Sequence, residues 1–180
     1  EELGISFDAI SGASAGALIG AFIAEGYSPA EIFKFAKTEK FFNYTDLFRG
    51  NGGMFSPDIF ERIITKYIPH NSFEQLKVPL YVSVTDLSNA RSLVFNQGCL
   101  SLAIKSSCCF PMVFVPVNYH NDTILCDGGI LNNFPVEHIN ATCGKSVGVD
   151  VNSIEIARGH MGYGEIMDRI IRIITSKIDK

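Results

Sequence analysis

Residues Asp8–Phe22 read DAISGASAGALIGAF, and within them Gly12-Ala13-Ser14-Ala15-Gly16 spells G-x-S-x-G. A lone hydroxyl between two glycines has two physical explanations. The glycines can permit a strained strand-to-helix turn that presents Ser14 as a nucleophile. Alternatively, small residues let a helix pack closely and the serine merely caps it. Context favours the first. Phe7 to Ile10 is a short apolar run followed by Ser-Gly, which predicts a buried strand ending in a turn. Ala15 to Gly26 is apolar almost all round, which predicts a buried helix with Gly16 and Gly20 packed closely on its sheet. Ser14 then stands at a helix N-terminus, where the Ala15 N–H and the positive end of the helix dipole face any developing oxyanion.

Further along, Ser28-Pro29-Ala30-Glu31 opens a second helix, to about Lys40, with a capping residue, Pro at the first helical position and Glu at the third. Asn51-Gly52-Gly53 reads as a loop. Ser56-Pro57-Asp58 caps a helix whose inner face carries Ile59, Phe60, Ile63, Ile64 and Tyr67. Pro79–Thr85 and Ser92–Phe95 read as strands, and Leu100–Ser107 as a short helix. Val113–Val117 and Thr123–Cys126 read as strands around the turn Asn118–Asp122, and Ser146–Val151 as one more buried strand. The isoleucines at 166, 170, 173, 174 and 178 predict a last helix, from about Gly164, packed on the sheet. Strands alternating with helices define a layered α/β domain.

The 180 residues suit one domain with a single sizeable core. Hydrophobic residues make up 47% and charged ones 19%, a globular composition. A net charge of -4 without a Lys/Arg block argues against nucleic-acid binding. Cysteines 99, 108, 109, 126 and 143 are odd in number and lack C-x-x-C spacing, so they read as reduced, mostly buried small hydrophobes of a cytosolic protein. Sequons begin at Asn43, Asn121 and Asn140 and are read as incidental. No apolar run reaches the ~18 residues of a membrane span, and no acidic loop has metal-binding spacing.

A serine nucleophile needs a base. The chain order Ser…Asp…His leaves room for a triad of Ser14 and Asp127 with His138 or His160, but none of His70, His120, His138 and His160 sits in a motif of its own. Asp127 does, following the apolar strand Ile124-Leu125-Cys126 and preceding Gly128-Gly129. Asp-Gly there can be an ordinary hairpin turn, or a carboxylate delivered at a strand end where two glycines admit close backbone. A direct Ser–Asp pair works if burial raises the Asp pKa toward the working pH.

Taken together, these residues resemble the patatin-like phospholipases, lipid acyl hydrolases with a Ser–Asp dyad. FDAISGASAGALIGAFIAEGYSP (7–29) resembles the nucleophile elbow and its helix. PLYVSVTDLSNARSLVFNQGCLSLAIKSSCCFPMVFVPV (79–117) resembles the middle of that family, with Thr-Asp-Leu after a strand and Phe-Pro before the last hairpin. ILCDGGILNNFPV (124–136) resembles its D-G-G block. The resemblance implies an α/β/α layered domain over residues 1–180 with a central, mostly parallel sheet. It implies Ser14 as nucleophile, Asp127 as base and Ala15 N–H as oxyanion donor, with Gly12, Gly16, Gly128 and Gly129 shaping the turns. The family's glycine-rich oxyanion loop precedes the elbow and a further strand often follows the last helix. The domain is accordingly expected to be incomplete at both ends.

The activity implied is hydrolysis of carboxylic esters of phospholipids or related lipids through an acyl-enzyme, with no metal or cofactor. The expected partner is a lipid ester met in the cytoplasm or at a membrane surface; the apolar segments Phe41–Phe48 and Phe110–Phe114 are candidates for its entry, with burial in the core the favoured reading of their aromatics. The alternatives are a catalytically impaired lipid-binding or interaction domain on the same scaffold and, third, a Ser–His–Asp esterase.

Overall fold

The computed structural model describes residues 6–39, 53–120, 122–140, 143–151, 159–162, 165–166, 169–170 and 173. In chain order the elements are β1 (Ile10–Ala13), α1 (Ala15–Glu25), α2 (Pro29–Thr38), β2 (Gly53–Phe55), α3 (Asp58–Tyr67), β3 (Leu80–Asp86), β4 (Arg91–Phe95), α4 (Leu100–Ser107), β5 (Met112–Phe114), β6 (Val117–Tyr119), β7 (Thr123–Asp127) and α5 (Glu137–Asn140).

Every register in the main sheet that matters for function runs through β3. Its residues are buried on both faces except for the half-buried Tyr81, which is why the strand reads as a nearly continuous apolar and small-residue run. β1 pairs with it in parallel, from Ile10 opposite Leu80 to Ala13 opposite Ser83. β7 pairs antiparallel, with Val84 opposite Asp127 and Asp86 opposite Leu125. β4 also pairs antiparallel and spans Val82 to Asp86.

A strand has only two hydrogen-bonding edges. Because β4 overlaps both other partners along β3, it must occupy one edge alone, and β1 and β7 share the opposite edge end to end. The C-terminus of β1 and the C-terminus of β7 therefore meet at the Ser83–Val84 junction. β6 pairs antiparallel with β7 and completes the five-stranded sheet, and β2 and β5 form a separate parallel pair.

This is a layered α/β fold, consistent with the expected α/β/α arrangement, and its sheet is mixed. β1, β3 and β6 run one way, whereas β4 and β7 run the other. α1 packs on β1 and β3, α4 packs on β3 and β7, and the two helices touch each other. Ala17, Leu18, Ala21, Phe22 and Ala24 of α1 join Leu100, Ala103 and Ile104 of α4 in one core with Val82, Val84 and Leu125. α3 adds Phe60, Ile63 and Ile64, as its spacing predicts.

Several boundaries and two elements differ from the sequence reading. β1 starts at Ile10 and continues through Ser11-Gly12-Ala13, because pairing with β3 extends it into the motif. Gly53 belongs to β2 rather than to a loop. The predicted strand Val113–Val117 is two strands, interrupted at Val115-Pro116, where proline has no N–H for a ladder.

Ser146–Val151 is not a strand, and Val147, Val149 and Val151 are 73–79% exposed. The alternation there suits a pleat, but none of the described strands pairs with it. Ile166, Ile170 and Ile173 are helical and 43–47% exposed, rather than packed on the sheet. Cys108, Cys109 and Cys126 are buried as expected, whereas Cys143 is half-buried and Cys99 exposed. Phe41–Phe48, Asn43, Asn51-Gly52, Asn121, Ile174 and Ile178 lie outside the described residues.

Candidate active site

Ser14 is the hinge between β1 and α1. Its backbone sits at φ 52, ψ -126, a conformation that costs a non-glycine residue energy and that the flanking strand and helix impose. Gly12 makes the turn possible. A Cβ there would lie 2.6 Å from the Gly16 carbonyl carbon and 2.7 Å from the Ala17 nitrogen. Gly16 is different, since a Cβ on it would meet nothing within 4 Å. Contrary to the packing expectation, Gly16 is exposed at the start of α1, with open space among the described residues where a side chain would stand.

The Ser14 hydroxyl makes no capping bond to α1. It donates instead to Asp127 Oδ2 at 2.6 Å, across 113 residues of sequence. Asp127 is only 3% exposed. Its other oxygen, Oδ1, accepts the Gly129 N–H at 2.7 Å, and its own N–H donates to the Cys109 carbonyl at 3.0 Å. Gly128 lies hard against β3, where a Cβ would come within 2.0 Å of the Ser83 carbonyl oxygen. The glycines after Asp127 thus do what a carboxylate at a strand end requires: one lets the chain lie against the β3 backbone, and the other supplies an N–H.

Burial pushes the Asp127 carboxyl up to about 6, against the lowering effect of the bonds from Ser14 and Gly129. A second buried aspartate shows why. Asp86 is fully buried too, and burial alone would raise it. Bonds from Asn89 and Arg91 hold it below its ordinary value instead. Asp127 has no such cation among the described residues, so its proton affinity falls in the range a general base needs.

Ala15 N–H, the first of α1, makes no hydrogen bond among the described residues and lies at the helix N-terminus. The histidines lie elsewhere. His70 Nε2 is 2.9 Å from Glu25. His138 stacks on Tyr81, its Nε2 3.0 Å from Glu137 but out of hydrogen-bonding alignment. His120 packs on Tyr119, and His160 is exposed. None of them is bonded to Ser14 or Asp127. Phe114 is core and Phe110 half-buried. Among the described residues no group of His, Cys, Asp and Glu could hold a metal ion, and no helix is long and apolar enough to cross a membrane.

One stretch that sequence reasoning left without a role touches both members of the pair. At the end of α4, Ser107 Oγ accepts the Ser14 N–H at 2.8 Å, the Cys108 thiol lies 3.3 Å from the Ser14 carbonyl, and Cys109 receives the Asp127 N–H. The available signal was four small residues in a row, Ser106-Ser107-Cys108-Cys109, at a helix end where other backbone can come close.

A strand–turn–helix serine facing a buried aspartate on a layered α/β fold defines a class of hydrolase-like domains. Within that class, the family model for patatin-like phospholipases matches residues 1–139, and the chain belongs to that family of lipid hydrolases. An uncharacterized protein of Acanthamoeba polyphaga mimivirus is 28% identical over 159 residues, covering 78% of this chain and 53% of that protein. A lysophospholipase of Meyerozyma guilliermondii is 28% identical over 174 residues, covering 93% of this chain and 12% of its own length. The patatin-like phospholipase domain-containing protein 7 of Rattus norvegicus is 30% identical over 160 residues, covering 84% and 12%. The chain therefore spans about half of the viral relative and about an eighth of the other two. The solved structure of VipD from Legionella pneumophila overlaps 46% of this chain and 15% of its own, at 23% identity and a TM-score of 0.31, a likeness too partial to bear on the fold.

Proposed function

We propose that the chain is a serine lipid acyl hydrolase in which Ser14 is the nucleophile and Asp127 the general base, cleaving carboxylic esters of phospholipids or related lipids. The observation that carries the proposal is the 2.6 Å bond from Ser14 Oγ to a carboxylate whose burial raises its pKa to about 6. Above that pH the carboxylate is ionised and can take the hydroxyl proton.

In the first step Ser14 Oγ attacks the ester carbonyl carbon, and its proton passes to Asp127 Oδ2. The oxyanion that forms is stabilised by the Ala15 N–H and the α1 dipole. Collapse breaks the bond to the alcohol, which leaves with the proton from Asp127, and an acyl group stays on Ser14. Water then attacks the acyl carbonyl, with Asp127 again accepting the proton; the bond from the acyl carbon to Ser14 Oγ breaks, Oγ takes that proton back from Asp127, and the carboxylic acid departs. Gly16 leaves room outside the helix N-terminus for the ester to approach. An aspartate is a weaker base than histidine, so esters suit this site better than amides.

Phospholipid and short-chain ester turnover, measured for the parent and for Ser14→Ala, tests the proposal. Loss of at least about a thousandfold with the fold retained is expected, as for removal of other serine nucleophiles. Turnover that survives the substitution would overturn it.

A further inference from the structure

We propose that Ser107 is the positioning residue of this site, a hydroxyl spliced into the β1–β3 ladder that sets where the nucleophile points. The inference rests on the Ser14–Asp127 reading. It starts from the hydrogen-bond parity of the sheet. The Ile10 N–H donates to the Pro79 carbonyl at 2.9 Å. In a parallel ladder donors on one strand recur every second residue. With Ala13 opposite Ser83, the series continues from Gly12 toward Tyr81 and from Ser14 toward Ser83.

At Ser14 the chain leaves the strand, at φ 52, and a direct bond is replaced by two. The Ser14 N–H donates to Ser107 Oγ at 2.8 Å, and Ser107 Oγ donates to the Ser83 carbonyl at 2.7 Å. Ser107 is fully buried, so no water competes for either bond. The hydroxyl satisfies an N–H that the elbow would otherwise strand. It also fixes the nucleophile's backbone relative to β3, the strand on which β7 and Asp127 are registered.

The neighbouring residues extend the same support. Cys108 reaches the Ser14 carbonyl, and Cys109 holds the Asp127 N–H. Burial, the largest cause, raises both thiols, with Asp127 adding to it, so they are neutral groups here rather than competing nucleophiles. Three consecutive residues at the end of α4 thus bracket both members of the pair. Ser107 contributes the part that a single-atom substitution removes.

The residue next door is an internal control. Ser106 is also fully buried on α4, yet its Oγ has no hydrogen-bond partner among the described residues. The experiment compares Ser107→Ala, Ser107→Cys and Ser106→Ala with the parent. It reads the rate constant and final extent of fluorophosphonate labelling, ester kcat and KM, and the thermal melt.

Misplacement of a reacting group by about 1 Å costs up to ~10²-fold, so Ser107→Ala should lower the labelling rate and kcat by about 10- to 100-fold, with KM within about twofold of the parent. Labelling should still reach the parent's final extent, because the protein is folded. Ser107→Cys, which keeps a weak donor and acceptor, should fall between Ser107→Ala and the parent, and Ser106→Ala should match the parent. Folded Ser107 variants that label and turn over at the parent's rate, or loss of the folded state in both, would overturn the proposal. A parent that neither labels at Ser14 nor hydrolyses esters would overturn the functional reading as well. An active parent whose Ser14→Ala form is dead, with Ser107→Ala undiminished, would overturn the positioning role alone.

Discussion

Ser14 and Ser28 each stand at the N-terminus of an α-helix, and they are used in opposite ways. Ser28 precedes α2 with ordinary extended backbone, at φ -73 and ψ 154. Its hydroxyl accepts the Glu31 N–H while Glu31 returns to the Ser28 N–H, a complete capping box. Ser14 precedes α1 in a strained conformation, makes no capping bond, and turns its hydroxyl to a buried carboxylate. The first follows every local rule and stabilises a helix. The second breaks those rules, and neighbours from two distant segments, the ends of α4 and β7, hold it in place. Departures of this kind concentrate at functional sites, where the rest of the structure carries the strain.

The comparison breaks most directly through activity. Asp127→Asn keeps the shape but removes the base, and should lower ester turnover by at least about a thousandfold. Single replacements of His70, His120, His138 and His160 should leave it within several-fold of the parent. Histidine loss with an effect as large as that of Asp127→Asn would return the mechanism to a triad.

The same aspartate should reveal itself in stability. Its folded pKa, about 6, lies above the ordinary 3.8. A raised carboxyl favours the protonated folded state, so its contribution is full below about pH 4 and is lost as the pH rises through 6. Across that window the parent should lose up to about 3 kcal/mol relative to Asp127→Asn, at roughly 1.4 kcal/mol for each tenfold difference in proton affinity between the folded and unfolded chain. Urea unfolding of both proteins at pH 4, 5, 6 and 7 checks the sign. A parent that gains stability relative to Asp127→Asn as the pH rises would contradict the burial argument.

The two motif glycines divide in the same manner. Gly12→Ala drives a methyl into the backbone of Gly16 and Ala17 and should cost about 1–3 kcal/mol or prevent folding. Gly16→Ala meets open space and should be neutral or stabilising by up to ~1 kcal/mol. Activity lost in a stable Gly16→Ala protein would locate the ester in front of α1. The smallest effect belongs to the other serine. Ser28→Ala should lower stability by about 1 kcal/mol and leave turnover untouched. A change in kcat there would erase the contrast.

The elements with strong local signals were legible in advance. α4 has the bounds that its apolar spacing indicates, and α2 opens with the Ser-Pro-x-Glu signature that defines its cap. Ser14 and Asp127 stood out through the order and spacing of the blocks that carry them, since each motif alone also reads as a capped helix or a hairpin turn. Their meeting point did not. It depends on β1 and β7 sharing one edge of β3, a property of register that no single segment encodes. Ser107 was hidden for the same reason, since a serine at a helix end acquires its role only from what the fold brings beside it. Val147, Val149 and Val151 show the converse. A clear alternation describes what a segment would do beside a partner strand, and the described strands do not supply one.

The central claim is that Asp127 activates Ser14, and the pH dependence of covalent labelling tests it most directly. A fluorophosphonate reacts with the activated hydroxyl without the complications of lipid presentation. The rate constant for modification, located at Ser14 by peptide mass spectrometry, should rise about tenfold per pH unit below 6, level off above it, and collapse in Asp127→Asn. Labelling at another residue, or an undiminished rate at Ser14 in Asp127→Asn, would contradict the account.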